Sequence, residues 1–335
     1  MRSFSSLSVI SLLGAATNVI SQAPSGVPSF VTEYAPINYL YSGEVYFPSD
    51  LQNQLNNTTP EVNFTAVQGV PSPLTLDNLD QLNNLPPANG TNVYLTSNDN
   101  IETNPAWLIG VAPTNNKTDG VTSATIVVND HGNGLVDAFY FYFYAFNYGG
   151  EYVGQILGDH VGDWEHNMVR FENGTPSAVW YSQHSNGEAF TYEALNKTNG
   201  RPINLVANGT HANYAIGGTH DHTIPDLNLP EGFVEDYTDF GAIWDPLLSA
   251  YYYSYNANTQ EFSAYDDSTP VNWLNFTGQW GDDQYPNSDP RQKSLLGLAY
   301  KYTGGPTGPE DKQLNRTNIC PDNGDACIVR TMLGP

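Results

Sequence analysis

Residues 158–166 (Gly-Asp-His-Val-Gly-Asp-Trp-Glu-His) bring two histidines and three carboxylates around one tryptophan. Carboxylate oxygens joined by an imidazole are the donor set of hard or borderline divalent ions such as Ca²⁺, Mg²⁺ or Mn²⁺, and the same groups also run general acid–base chemistry. All seven histidines, His131, His160, His166, His184, His211, His220 and His222, fall in one window of the 335-residue chain. That clustering predicts a single polar site.

Strand parity sorts the candidates. In a strand that has begun by residue 163, Asp163 and Glu165 share one face while Trp164 and His166 take the other. His160, in the preceding glycine-containing loop, folds back to join the two carboxylates, which makes His160, Asp163 and Glu165 the expected cation ligands. Ca²⁺ or Mg²⁺ is preferred over Mn²⁺ or Zn²⁺, with zinc open to completion by His184 or His211. For catalysis the candidates are Asp163 and Glu165 as ligands or acid and base, with His184 or His211 as proton shuttle. Trp164, His166, Trp180, His184, His211 and Tyr214 are expected to line a ligand. His131, His220 and His222 read as hydrogen-bonded loop histidines.

The elements that must position these groups are mostly strands, because helical periodicity is scarce and Gly, Pro, Asn, Thr and Tyr abound. Residues 124–128 and 137–146 read as strands. In the second, Phe and Tyr alternate, which predicts a phenylalanine face in the core and a wetter tyrosine face. Residues 166–171 and 177–182 flank Asn173-Gly174, the strongest short hairpin signal. A further strand over 202–207 delivers Thr210-His211-Ala212-Asn213-Tyr214. Upstream, only 44–47 reads as extended and 76–82 as a helix-like turn. The economical architecture is all-β, a sandwich with long loops, a few short helices and the histidines at one rim. Residues 22–120 are expected to wrap a sandwich core spanning 121–305, with a tail over 306–335.

Arg2, the modest apolar run 7–13 and the small residues Gly14, Ala15 and Ala16 have the layout of a secretory signal peptide over residues 1–21, cleaved between 16 and 23. No later run approaches the roughly 20 apolar residues of a spanning helix. Asn56, Asn57, Asn63, Asn89, Asn116, Asn173, Asn196, Asn208, Asn275 and Asn315 each begin an N-glycosylation sequon. Cys320 and Cys327, the only two cysteines, are expected to close a small disulfide loop in an oxidising compartment. With 35 carboxylates against 11 Lys and Arg, the formal charge of −24 argues against nucleic acid and anionic lipid as partners and favours divalent cations.

Asp137 to Gly149 with Tyr140, Phe141 and Asn147, then residues 158–166, Ser182-Gln183-His184, residues 209–214 and Trp244-Asp245-Pro246 together resemble the fungal vacuolar protein sorting-associated protein 62 family over roughly residues 120–300. That family's name implies a vacuolar sorting role and no particular chemistry. Residues 160–165 also resemble, more remotely, the Gly-His-Arg-His-Asp-Trp-Glu heptapeptide of secreted necrosis- and ethylene-inducing-like proteins. There the resemblance implies a β-sandwich whose first His, Asp and Glu hold a divalent cation used to engage sphingolipid sugars, carried here by His160, Asp163 and Glu165. Asp159 and Gly162 depart from the heptapeptide, and the upstream acidic ligand falls on Asn147 or Asp137.

Three functions follow. The first is a secreted or vacuolar glycoprotein that binds a carbohydrate or glycolipid headgroup through a cation. The second is a metal-assisted carbohydrate hydrolase or lyase. The third is a lumenal sorting factor. The chain has no Gly-x-Ser-x-Gly elbow, P-loop, dinucleotide fingerprint or His-Glu-x-x-His, which disfavours serine hydrolase, nucleotide-dependent and zincin chemistry.

Overall fold

Twelve consecutive side chains, residues 136–147, are buried, although strict alternation sends neighbours to opposite faces. A strand can do this only when both faces of its sheet are covered. The computed structural model describes residues 23–86, 89–152, 154–221, 234–324 and 326–334; the expected leader and His222 lie outside the described residues. The strands of the two main sheets are β1 (Ile37–Leu40), β2 (Ala124–Gly132), β3 (Leu135–Asn147), β4 (His160–Glu172), β5 (Thr175–Gln183), β6 (Asn186–Thr191), β7 (Lys197–Thr198), β8 (Arg201–Val206), β9 (Asn213–Tyr214), β10 (Ile243–Trp244), β11 (Ala250–Asn256), β12 (Glu261–Ala264) and β13 (Val329–Arg330). The larger sheet runs β12-β11-β2-β3-β4-β5-β6-β13, and the smaller runs β7-β8-β1-β10 with β9 paired to β8.

The chain is therefore an all-β sandwich with few and short helices. Its hairpin between β4 and β5 turns at Asn173 and Gly174, whose φ values of 52° and 78° suit a type I′ turn. The strand expected over 202–207 appears as β8, which pairs in parallel with β1 at Ile37↔Ile203 through Leu40↔Val206.

The tyrosine face of β3 is not wet. Tyr140, Tyr142 and Tyr144 are buried with Leu40, Val206 and Trp244 of the smaller sheet. Phe139, Phe141 and Phe143 pack on the opposite side against Leu51 and Leu55 of the helix α1 (Leu51–Asn56), Leu79, and Trp273 and Trp280. Asp50 caps that helix by accepting the Asn53 N–H at 2.8 Å, and its other oxygen accepts the Thr122 N–H at 3.1 Å, which ties the helix to the lead-in of β2. Residues 44–47, expected to be extended, form no strand; the helix-like turn appears as a 3₁₀ segment, Leu79–Asn84. Cys320 and Cys327 form the expected disulfide. Among the described residues no helix is long and apolar enough to cross a membrane.

One glycine fixes how β4 enters the sheet. Gly162 has φ +68°, and a Cβ there would stand 2.1 Å from the Trp280 carbonyl oxygen. Both the backbone conformation and the space exclude a side chain. Gly162→Ala is expected to lose more than about 3 kcal/mol in a urea melt, in the range of severe core lesions. Gly120→Ala, with φ +76° and nothing within 4 Å of the added carbon, should lose only about 1 kcal/mol of backbone strain. Equal losses would show that the Trp280 carbonyl moves aside.

Candidate functional site

Cross-strand partners share a face. Tyr144 lies opposite Asp163 and Tyr142 opposite Glu165, while Phe143 faces Trp164 and Phe141 faces His166. Asp163 and Glu165 therefore point between the sheets, as their spacing predicts. Trp164 and His166 point into the phenylalanine layer.

That parity corrects three ligand-lining expectations. Trp164 is 3% exposed and lies parallel to Trp273 at 5.8 Å. Trp180, also 3% exposed, belongs to the same layer, so neither indole rims the cluster. His166 sits at 2.9 Å from an Arg316 guanidinium nitrogen and beside Phe141; burial, then the Arg316 charge, hold its imidazole well below the usual range. It is a neutral acceptor for a buried arginine.

Of the two upstream candidates, Asp137 stands near the other end of β3. Its oxygens take Arg170 Nε and Nη2, each at 2.8 Å, and His131 Nε2 at 2.8 Å. Asn147 pairs in register with His160 and donates to the Gly158 carbonyl at 3.0 Å, so it borders the cluster.

His211 holds the centre. It adopts φ +56°, a left-handed conformation that costs a non-glycine residue about 1–3 kcal/mol and persists only where surroundings over-determine it. Its ring lies parallel to Tyr144 at 3.7 Å. Its Nδ1 is 2.9 Å from Asp163 Oδ2 and its Nε2 is 3.0 Å from the Tyr46 carbonyl. With an oxygen beside each ring nitrogen, the geometry favours a ring that donates from both, paired with Asp163. Burial opposes a charge on that ring, but the Asp163 hydrogen bond and the Glu44 and Asp163 charges raise the His211 pKa on balance.

Glu165 is handled differently. Its Oε2 receives the Ser182 hydroxyl and, at 3.4 Å, the Asn213 amide, and among the described residues no basic side chain forms an ion pair with it. Burial, with Asp163 alongside, holds its carboxyl well above the usual carboxylate range. His160 donates Nδ1 to the Gly162 carbonyl at 2.7 Å, so the neutral ring carries its lone pair on Nε2; burial keeps its pKa down. A carbonyl holding the far nitrogen is the orientation found in metal-binding histidines. Among the described residues, no hydrogen bond reaches His160 Nε2, Asp163 Oδ1 or Glu165 Oε1. The Tyr144 hydroxyl is buried without a hydrogen-bond partner.

A second ion pair flanks the first. His184, also left-handed at φ +53°, places Nε2 at 2.7 Å from Asp236 Oδ2. Thr210 and Tyr214 hydroxyls donate to the same carboxylate, each at 2.7 Å, and the Tyr214 ring stacks on His220 at 3.8 Å. Burial works against a charged His184, but Asp236 outweighs it and the pKa rises. Asp159, one residue before the cluster, is pushed up to about 7 by burial.

The structure thus brings together His160, Asp163, Glu165, His184, His211 and Tyr214, with Asn147 at the border. It leaves Trp164, His166, Trp180 and Asp137 elsewhere. Sequence reasoning missed Glu44, Tyr144, Ser182, Asn213 and Asp236. Ser182 and Asn213 had a signal, since both lie within two residues of histidines singled out at strand ends; Glu44 and Asp236 are brought in by long-range folding and had none. Glu44 receives the backbone N–H groups of Val45, Tyr46 and Gly209 at 2.8–2.9 Å. Among the described residues, no group of three or more His, Cys, Asp and Glu side chains converges closely enough to hold a metal ion.

The model of the family described as vacuolar protein sorting-associated protein 62 matches residues 137–296. Two relatives from Saccharomyces cerevisiae align over 327 residues each. TDA6, named as a vacuolar protein sorting-associated protein, is 38% identical over 89% of this chain and 69% of its own length. Vacuolar protein sorting-associated protein 62 is 36% identical over 88% of this chain and 68% of its own. Among solved structures, Necrosis and Ethylene inducing Protein 2 from the causal agent of cocoa's Witches Broom disease is 12% identical with a TM-score of 0.27, over 57% of this chain and 66% of that one. NLPPya in complex with glucosamine is 11% identical with a TM-score of 0.27, over 69% and 73% of the two chains. The structural likenesses are distant, but the sequence matches run nearly the length of the chain, which therefore belongs to the vacuolar protein sorting-associated protein 62 family.

Proposed function

We propose that this chain is a carbohydrate-binding glycoprotein of the vacuolar sorting route, secreted or vacuolar, that meets a sugar or glycolipid headgroup through a divalent cation. The observation that carries this reading is the set of donors left over at the head of β4. His160 Nε2, Asp163 Oδ1 and Glu165 Oε1 lack hydrogen-bond partners among the described residues, while the other donor atom of each side chain is held in place. The two carboxylate oxygens suit Ca²⁺ or Mg²⁺, and the one imidazole keeps Mn²⁺ and Zn²⁺ in competition for the same donors. Bound there, the ion would supply positive charge and open coordination positions for sugar hydroxyls. His211 anchors Asp163, Ser182 and Asn213 anchor Glu165, and the Gly162 carbonyl sets the His160 tautomer. The vacuolar route is supported by the names of the two yeast relatives.

The test begins with mature protein from a fungal secretory host, titrated calorimetrically with Ca²⁺ and Mg²⁺ and then applied to a glycan array with and without chelator. Stoichiometric cation binding and chelator-sensitive glycan capture are expected. Glu165→Gln and His160→Ala should each weaken the cation at least about tenfold, the scale on which even outer-shell partners act. A protein that binds neither ion and whose melt ignores chelation overturns the cation site. Turnover of a captured glycan would convert the reading to a metal-assisted hydrolase or lyase.

The His184–Asp236 pair adds a pH dependence. Its histidine pKa is raised on folding, so the stabilisation is fully present below the unfolded value, near 6.5, and is lost as pH rises through the folded one. His184→Gln should therefore lower the melting temperature more at about pH 5 than at about pH 8, where the neutral wild-type ring has less to lose. A larger deficit at the higher pH would contradict the pairing. The sign suits an acidic lumen.

A further inference from the structure

At the β2–β3 turn end of the molecule, about seven residues or roughly 23 Å along β3 from Asp163, two cavities of about 430 and 540 Å³ share Tyr255 and Asn315 in their walls. Each lies within the roughly 300–1,000 Å³ of small-ligand sites. The lining is polar and rich in amides, with Asn256, Asn258, Gln260, Asn275, Gln313 and Asn315 contributing. No Lys or Arg lines either cavity, while Asp130, Glu310, Asp311 and Asp322 do, which excludes phosphate and other anions as the natural occupant. The one aromatic face at the junction is Tyr255, half-buried and braced by Phe262 at 5.0 Å. Amides that donate and accept, beside a fixed aromatic ring, match a saccharide: hydroxyls for the amides and an apolar ring face for the tyrosine.

Asn315 itself says where the saccharide comes from. It begins the sequon Asn315-Arg316-Thr317 and is exposed, although both neighbours, Leu314 and Arg316, are 3% exposed. The Leu314 carbonyl is held by the Asn129 side-chain amide at 2.8 Å, so the backbone under Asn315 is pinned to β2. Among the described residues, no hydrogen bond occupies the Asn315 side chain. A sugar joined to its amide nitrogen starts inside the groove and cannot diffuse away, the condition in which even weak contacts are satisfied.

We propose that this groove is a saccharide seat filled by the chain's own N-glycan at Asn315. Attachment joins Asn315 Nδ2 to the anomeric carbon of a polyprenyl-diphosphate oligosaccharide. The carbon–oxygen bond to the diphosphate breaks, the lipid diphosphate leaves with the electron pair, and the amide releases one proton; nothing is oxidised or reduced. The first sugars then lie over Tyr255 with Asn258 and Gln260 along the wall. The inference rests on the secretory route of the proposed function and is independent of the cation cluster.

The experiment uses full-length chain passed through a yeast secretory host. Peptide mass mapping reads occupancy of every sequon, and thermal melts compare wild type, Tyr255→Leu, Asn315→Gln and the double variant. Glycan on Asn315 is expected, and Tyr255→Leu should cost about 2–4 °C more in the glycosylated chain than in the Asn315→Gln background, where the seat is empty. An equal cost in both backgrounds overturns the seat, as does a bare Asn315 in a chain whose other sequons are filled. A chain with no filled sequon overturns the secretory reading along with it. Free oligomannose captured by the wild-type chain, bare at Asn315, in a Tyr255-dependent way would assign the groove to an external sugar and also overturn the proposal.

Discussion

The sandwich is built around a strand pair that has no solvent face, and everything polar on that pair must find a partner inside the protein. β4 carries Asp163, Glu165 and Asn167 towards the smaller sheet. Unpaired polar groups in such a layer cost several times what a paired one contributes. Both sheets answer them in turn: His211, from the loop before β9, for Asp163, Ser182 of β5 and Asn213 of β9 for Glu165, and the Tyr142 hydroxyl of β3 for Asn167 at 2.8 Å. The same seam continues as Asn204 donates to Asn38 at 2.9 Å across the parallel β8–β1 pair. Site and sandwich are therefore one network.

This explains which features were legible in the sequence. Parity along β4 and the Asn173-Gly174 turn depend on neighbours a few residues apart, and both appear as read. The tyrosine face of β3 was misread because its cover is assembled from residues around 40, 205 and 244, whose pairing no local pattern announces. Trp164 and Trp180 are expected from the sequence to line a ligand. Their own parity sends them into the phenylalanine layer, where Trp164 also meets Trp280, whose carbonyl leaves no room for a side chain at Gly162. Glu44 and Asp236, each anchoring one edge of the site, lie about 120 residues before Asp163 and 50 after His184, and only the fold brings them in.

Two strained histidines mark where the network is least negotiable. His184 and His211 both take the left-handed conformation at the ends of segments that leave a sheet, and each is clamped by a carboxylate. Strain of this kind persists where the surroundings fix it, and it sits here beside the leftover donors at the head of β4. In a chain with three times as many carboxylates as basic residues, histidine supplies positive charge where lysine and arginine do not.

The way His211 is held also separates binding from turnover. A proton shuttle needs one ring nitrogen free to accept in part of its cycle. Both nitrogens of His211 are engaged, one with Asp163 and one with the Tyr46 carbonyl, and the ring lies against Tyr144 with no exposed surface. Losing either proton would leave two acceptors facing each other in a buried site. His211 is thus a fixed counter-charge that aims Asp163. His184, whose side chain is 30% exposed, is the histidine of the pair that retains contact with solvent. The proposed cation reading requires this division of labour, with the most buried histidine spent on orientation and the spare lone pairs left on His160, Asp163 and Glu165.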